Sequence, residues 1–285
     1  QPMIRIREVS DLPATFGIVD VFAGPGGLGE GFASLRVGDH SPFQIGISVE
    51  KETSAHRTLT LRAFVRAHAE RQGALPTAYV DFHAGQSAEP DWSTVDATAW
   101  DHAASEARCL ELGTEPAAEA IDSAIARLRQ DFDDTILIGG PPCQAYSLAG
   151  RSRLRPGNVE AFESDKRHFL YTEYLRIIRL FGPSVFVMEN VKGMLNSKHG
   201  GTPIFERILA DLRSPGNGST YVVRSLVVDG DEPEPLDYLI ESEKYGVPQC
   251  RHRVILFGVR SDLLAGLTSQ DRAGKFKLKP SSKKV

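Results

Sequence analysis

The 285-residue sequence predicts an α/β protein built on a doubly wound, largely parallel sheet. Three observations predict it. A short apolar run, Gly17 to Phe22 (GIVDVF), ends in the glycine-rich turn AGPGGLGEGF and leads into a helix through Leu35. A second run, Phe43 to Glu50 (FQIGISVE), ends in an acid and is followed by a helix from near Thr53, completing a β-α-β opening. A third, Thr135 to Gly139 (TILIG), stops at Gly-Pro-Pro, so another strand end carries unusual chemistry.

The other elements follow in order. Residues 71–119 are Ala-rich and charged, with Trp92 and Trp100, and predict helices inserted between core strands. Ile121 to Gln130 has a helical pattern. Arg151 to Lys166 is polar and rich in Arg, Gly, Asn and Pro, the composition of a surface loop. Leu170, Tyr174, Ile177, Ile178 and Phe181 repeat at helical spacing, and Pro183 precedes a strand at Ser184 to Met188. A helix at Ile204 to Leu212 and strands near Tyr221 to Val228 and Val254 to Val259 complete the pattern. The expected division is a lead at 1–16, a main domain at 17–260 with its insertion at 71–119, and a lysine-rich tail at 261–285.

Hydrophobic residues at 41% and charged residues at 25% lie in the globular range. No apolar run approaches the roughly 18 residues of a membrane span, so no membrane association is expected. Gln1 to Asp11 lacks the apolar stretch and cleavage site of a secretory signal. Cys109, Cys143 and Cys250 are few, odd in number and without metal-ligand spacing. They predict neither a disulfide framework nor a metal site, and the cytoplasm is the expected compartment. The net charge of −4 gives no general attraction to nucleic acid, so any such affinity must come from local basic patches.

Four clusters carry chemistry. In the first, Phe22, Ala23, Gly24, Gly26, Gly27 and Leu28 form a turn whose glycines let the backbone approach a ligand, and Glu50 at the next strand end can accept from ribose hydroxyls. A tight turn with no ligand would use the same glycines. In the second, Gly139-Gly140-Pro141-Pro142-Cys143-Gln144 follows a buried strand, and its two prolines present the cysteine rigidly over a crevice. The third, Met188-Glu189-Asn190-Val191, places Glu189 at a strand end, where a carboxyl group facing an apolar pocket would be held protonated. The fourth, Gln249 to Arg253, precedes a strand, and alternation sends Gln249, Arg251 and Arg253 to one face and Cys250 and His252 to the other.

In their order and placement these clusters resemble the cytosine-C5 DNA methyltransferase family over most of Val19 to Arg260. DVFAGPGG resembles the family's cofactor motif, GGPPCQAYSLAGR its nucleophile motif, MENVKGM its acid motif and YGVPQCRHR its glutamine-arginine motif. The resemblance implies a Rossmann-like fold of the S-adenosylmethionine-dependent methyltransferase type. It implies that Phe22, Ala23, Gly24, Gly26, Gly27, Leu28, Glu50 and Pro142 hold S-adenosyl-L-methionine. It makes Cys143 the nucleophile on C6 of a flipped-out cytosine, Glu189 the group at N3, and Arg253, with Arg251 and Gln249, the holders of the base and the thiol loop. Gln144, Ser147, Arg151, Arg153 and Arg155 would face double-stranded DNA, with Lys166 and Arg167 adding to a closing lid.

Two departures from the family pattern shape the expectations. No aspartate after the third strand is identifiable as the adenine contact: Asp81, Asp96 and the run Cys109 to Gly113 compete. The family's target-recognition domain and last conserved segment have no equivalent after Arg260, so target recognition is expected in a further segment or in a second chain. A tRNA-type cytosine methyltransferase, a cofactor-binding subunit of a split enzyme and a nicotinamide oxidoreductase are the competing readings. The residues after Cys143 favour DNA, and Pro-Pro-Cys has no role in hydride transfer.

Overall fold

The computed structural model describes residues 15–142, 166–199, 202–216, 218–230, 232–268 and 275–282. Strand β1 (Phe16–Val21) leads through the glycine turn to helix α1 (Gly27–Ala33), and β2 (Phe43–Glu50) follows. Four helices come next, α2 (Thr53–Gln72), α3 (Thr77–His83), α4 (Trp92–Val95) and α5 (Ala97–Glu106), then the short β3 (Ala107–Cys109). Helix α6 (Glu115–Asp131), β4 (Asp134–Gly139), α7 (Lys166–Phe181) and β5 (Val185–Val191) continue the alternation. After a small hairpin of β6 (Lys198–His199) and β7 (Thr202–Pro203) come α8 (Ile204–Arg213), β8 (Tyr221–Arg224), β9 (Leu239–Glu241), β10 (His252–Arg260) and α9 (Ser261–Leu264).

The main sheet runs β3-β2-β1-β4-β5-β10-β8, with β9 added along β10. Strands β1 to β5 pair in parallel, and β10 is antiparallel to β5, β8 and β9. Alternation assigns the faces. Val19, Val21, Leu137, Phe186 and Met188 pack with Ile121 and Leu128 of α6, Tyr174 and Ile177 of α7, and Phe205 and Leu212 of α8. Ile18, Ile45, Ile136 and Ile138 face the other way, against Ala33, Leu28 and Phe32 of α1. The central strands β1, β4 and β5 are buried on both faces, as parallel sheets require.

The segment between β2 and α6 forms its own apolar cluster, Ala63, Phe64 and Ala67 against Trp92, Ala99 and Ala103. Arg66 of α2 ties it to α1 by pairing with Glu30, and also pairs with the buried Glu106 at the end of α5. Within this segment lies β3, which the sequence pattern hid: Ala-Arg-Cys is too short and too polar to show an apolar run. The strand expected at Tyr221 to Val228 stops at Arg224, because the Ser225 hydroxyl accepts from the backbone N–H groups of Val227 and Val228 and turns the chain out of the ladder. The C-terminal residues 275–282 return across the sheet edge: Phe276 packs on Phe257, and Leu278 N–H donates to the Leu226 carbonyl (2.8 Å). Among the described residues, no helix is long and apolar enough to cross a membrane.

Candidate active site

The strand order places a topological switch at β1 and β4, since the chain leaves β1 towards β2 and β3 and returns on the other side at β4. Open α/β sheets bind ligands at the carboxyl ends of strands beside such a point. A cavity of about 250 Å³ lies there, lined by Phe22, Glu50, Lys51, Leu110, Leu112, Gly140, Pro142 and Leu170. A larger, polar cavity of about 380 Å³ opens where β4 begins. Its arginines are engaged, Arg129 with the carbonyls of Leu180 and Phe181 and Arg260 with Asp262 and the Gly182 carbonyl, and it lies at the wrong end of the strands for this fold's ligands.

The turn above β1 is shaped by its backbone. Phe22 adopts φ 56°, a conformation uncommon outside glycine, and Gly24 and Gly26 follow at φ 57° and 88°. A residue held off the common conformations between two parallel strands points to a function for that conformation. Glu50 fixes the turn: its Oε2 accepts from Gly24 N–H (2.9 Å) and its Oε1 from Glu52 N–H (2.8 Å). Each oxygen retains the capacity to accept a further hydrogen bond, and Glu50 lines the cavity. Phe22, Leu110, Leu112 and Leu170 supply apolar walls for a flat heterocycle, and Glu50 an acceptor pair for hydroxyls. Of the sequence-derived cofactor residues, Phe22, Glu50 and Pro142 line this cavity, with Ala23, Gly24 and Gly26 in the turn and Gly27 and Leu28 in α1.

The structure also narrows the search for the acid after the third strand. Asp81 lies in α3, and Asp96 caps α5 by accepting from Ala99 N–H (3.0 Å) while pairing with His68 and Arg71. The run after β3 is the one at the crevice, and there Leu110 and Leu112 face the cavity while Glu111 pairs with Lys51 (3.3 Å).

A second centre joins the ends of β4, β5 and β10. Glu189 Oε1 meets Arg253 Nε at 2.7 Å and Arg251 Nη2 at 3.5 Å, so its surroundings are two guanidinium groups and not the apolar pocket read from the sequence. The reason is register: β10 pairs Ile255 with Glu189 and Arg253 with Val191, which brings both arginines over the strand end. Gly140 abuts the same carboxylate, since a Cβ there would lie 3.0 Å from Glu189 Oε2. Gln249 is exposed on the turn before β10. That turn is stapled by Ser242, whose hydroxyl accepts from Arg251 N–H (3.0 Å) and donates to the Gln249 carbonyl.

Cys143, Gln144, Ser147, Arg151, Arg153 and Arg155 lie outside the described residues. What holds the chain leading to Cys143 is visible. The buried Asn190 donates from Nδ2 to the Pro141 carbonyl (3.0 Å) and accepts from Val191 N–H (2.8 Å), so β5 grips the Pro-Pro segment one residue from the acid. Sequence reading gave Asn190 no role, although its place beside Glu189 in the same strand-end motif was a usable signal.

Two further buried groups had no sequence signature. Asp20 and Ser48 face each other in the β1–β2 register, and neither side chain has a hydrogen-bond partner among the described residues. Burial, reinforced by Glu106, Glu50 and Glu30, pushes the Asp20 carboxyl well above the usual range. On the rim, His252 Nε2 bonds Glu243 (2.7 Å) and lies 4.0 Å from Glu241, and Glu241 also pairs with Lys244. Those acids come from the neighbouring β9 segment, which spacing around His252 could not reveal. Cys109 and Cys250 are exposed free thiols.

The fold is thus a doubly wound sheet with a crevice at its switch point and, beside it, a carboxylate clamped by two arginines. The sequence model of the C-5 cytosine-specific DNA methylase family matches residues 93–284, and the chain belongs to that family. It is 29% identical over 265 residues to the type II methyltransferase M.Bpa9945I of Bacillus paralicheniformis, covering 86% of this chain and 54% of that protein. It is 33% identical over 144 residues to a DNA-cytosine methyltransferase of Escherichia coli K12, covering 50% of this chain and 28% of the relative. The solved structure of the Entamoeba histolytica methyltransferase EhMeth overlays with a TM-score of 0.37 at 14% identity, covering 86% of this chain and 53% of that one. The chain thus spans about half the length of the first of these relatives.

Proposed function

We propose that this chain carries the catalytic centre of an enzyme that transfers a methyl group from S-adenosyl-L-methionine to C5 of a flipped-out cytosine in double-stranded DNA. The observation that carries the reading is the junction at Gly140, where the segment leading to Cys143 touches the carboxylate that Arg251 and Arg253 clamp.

The crevice fits the cofactor. Glu50 would take the ribose hydroxyls, the backbone of Gly24 to Gly27 would receive the amino-acid end, and Phe22, Leu110 and Leu112 would flank the adenine. When bound, S-adenosyl-L-methionine supplies an electrophilic methyl group. The remaining chemistry belongs to the chain. The Cys143 thiolate would add to C6, and the charge delivered to the ring would be met at N3 by a proton passed from solvent through the Glu189 carboxyl, leaving an enamine nucleophilic at C5. Arg253 would hold Glu189 in that orientation, and Arg251 and Gln249 would support the base and the thiol loop. C5 would take the methyl group from the sulfonium, which would leave as a neutral thioether; the C5 proton would pass to a solvent-borne base, and the C6–sulfur bond would break to regenerate the Cys143 thiolate. The target must leave the helix to reach Cys143, at a cost of a few kcal/mol. Gln144, Ser147, Arg151, Arg153 and Arg155 would hold the DNA around the gap.

Choice of target sequence is assigned to a further segment or a second chain, in keeping with the greater length of the relatives. Incubating the protein with methyl-labelled cofactor and duplex DNA, digesting to nucleosides and separating them by chromatography tests the reading. Label in 5-methyldeoxycytidine is expected; label in adenine, or in RNA alone, would refute it.

A further inference from the structure

The returning C-terminal segment is a cationic strap fixed beside the catalytic rim. Lys275, Lys277 and Lys279 are exposed, and no acidic residue occurs between Lys275 and Ser282. Phe276 points inward, packing on Phe257 at 5.8 Å between centroids and lying under the Arg224 guanidinium at 4.8 Å. The strap is pinned at two more points, Leu278 N–H to the Leu226 carbonyl (2.8 Å) and Ser281 N–H to the Lys244 carbonyl (2.9 Å). Lys244 belongs to the turn whose Ser242 staples Gln249 and Arg251, and Arg251 reaches Glu189. Lys279 is two residues from Ser281, roughly 7 Å of extended chain, so the lysine row runs up to the turn that borders the proposed base pocket.

The nearby acids are taken up elsewhere, Glu241 by Lys244 and Glu243 by His252. Among the described residues, Lys275, Lys277 and Lys279 take part in no ion pair. In a chain of net charge −4, a pinned row of alternating cations beside the reaction centre is a local feature that the overall composition conceals.

We propose that this strap is a contact surface for the phosphate backbone of duplex DNA, placed to hold the strand flanking the extruded base. The proposal rests on the DNA reading above. It assigns affinity and not sequence choice, because lysines at phosphates position a duplex without reading its bases.

The test compares the full chain with a Lys275→Gln/Lys277→Gln/Lys279→Gln variant and a triple Lys→Arg variant. Binding to a duplex oligonucleotide is titrated from about 50 to 200 mM salt, with cofactor affinity as the folding control. Each phosphate contact contributes about 0.9 to the slope of log affinity against log salt. Loss of three contacts should lower the slope by about 2.7, which over a fourfold salt change is a difference of about 40-fold in salt sensitivity. The arginine variant should keep the parent slope, and cofactor affinity should be the same in all three. An unchanged slope in the glutamine variant, with the parent binding DNA in a salt-dependent way, overturns the strap and leaves the DNA reading intact. A parent that shows no salt-dependent duplex binding overturns the DNA reading and the strap with it.

Discussion

Replacing Asn190 by alanine should destabilise the protein and slow its chemistry while leaving the cofactor crevice intact. The side chain is 4% exposed, and its amide nitrogen donates 3.0 Å to the carbonyl of the buried Pro141. Alanine leaves that carbonyl without its partner in a site closed to bulk water, a loss worth about 1–3 kcal/mol. At about 2 kcal/mol, the melting temperature of a domain of this size should fall by roughly 4–8 °C. The functional cost should be separate, because the released segment is the one that leads through Pro142 to Cys143. Asn190→Ala should therefore form the covalent complex with DNA more slowly than its stability loss accounts for, while calorimetry reports near-parental cofactor affinity. Urea unfolding measures the first effect and single-turnover kinetics the second. A stability change under about 0.5 kcal/mol with parental kinetics would refute the claim that β5 holds the nucleophile segment through this amide.

Glu50→Ala should weaken cofactor binding by roughly 10-fold or more, since it removes acceptors for the hydroxyls and for Gly24 N–H; isothermal calorimetry reads it, and parental affinity would move the ribose contact elsewhere. Asp20 should make stability depend on pH in a particular direction. Its folded pKa is raised, so the native state binds the proton more tightly than the unfolded chain, and stability falls as pH rises from the ordinary carboxylate range towards the raised value, by at most about 1.4 kcal/mol per pH unit. Asp20→Asn should flatten that part of the profile in denaturation measured at several pH values, whereas a profile parallel to the parent's would show that Asp20 finds a partner. Ser242→Ala should lower kcat more than it raises KM for cofactor, because it frees the Gln249 to Arg251 turn; Ser242→Thr should restore the rate, and failure of that rescue would argue against the staple.

The sheet was legible because its central strands are buried on both faces and read as apolar runs, and its chemistry-bearing strand ends were marked by a glycine turn, an acid at the end of β2 and Pro-Pro after β4. Three features were not. Strand β3 is three residues long and takes its place from pairing with β2, a long-range contact that leaves no periodic trace. The environment of Glu189 was misread because the register of β10 against β5, which delivers two arginines, cannot be counted from either strand alone. Residues 275–282 fell within the lysine-rich tail expected at 261–285, where composition gave no sign of packing, yet one aromatic side chain and two backbone bonds pin them. At the candidate site, Glu50 and Glu189 were singled out by strand-end position, whereas the contacts of Asn190 and Ser242 and the burial of Asp20 show only in the folded chain.

The central claim is that Cys143 attacks the cytosine ring. Mass spectrometry of the protein after incubation with S-adenosyl-L-methionine and duplex DNA containing 5-fluorocytosine tests it most directly, because fluorine at C5 blocks the proton-removal step and traps the intermediate. A covalent adduct on the peptide containing Cys143, absent from Cys143→Ser although that variant still binds cofactor, is the expected result. Methylation of DNA by Cys143→Ser at a rate near the parent's, or an adduct on Cys109 or Cys250, would contradict the account.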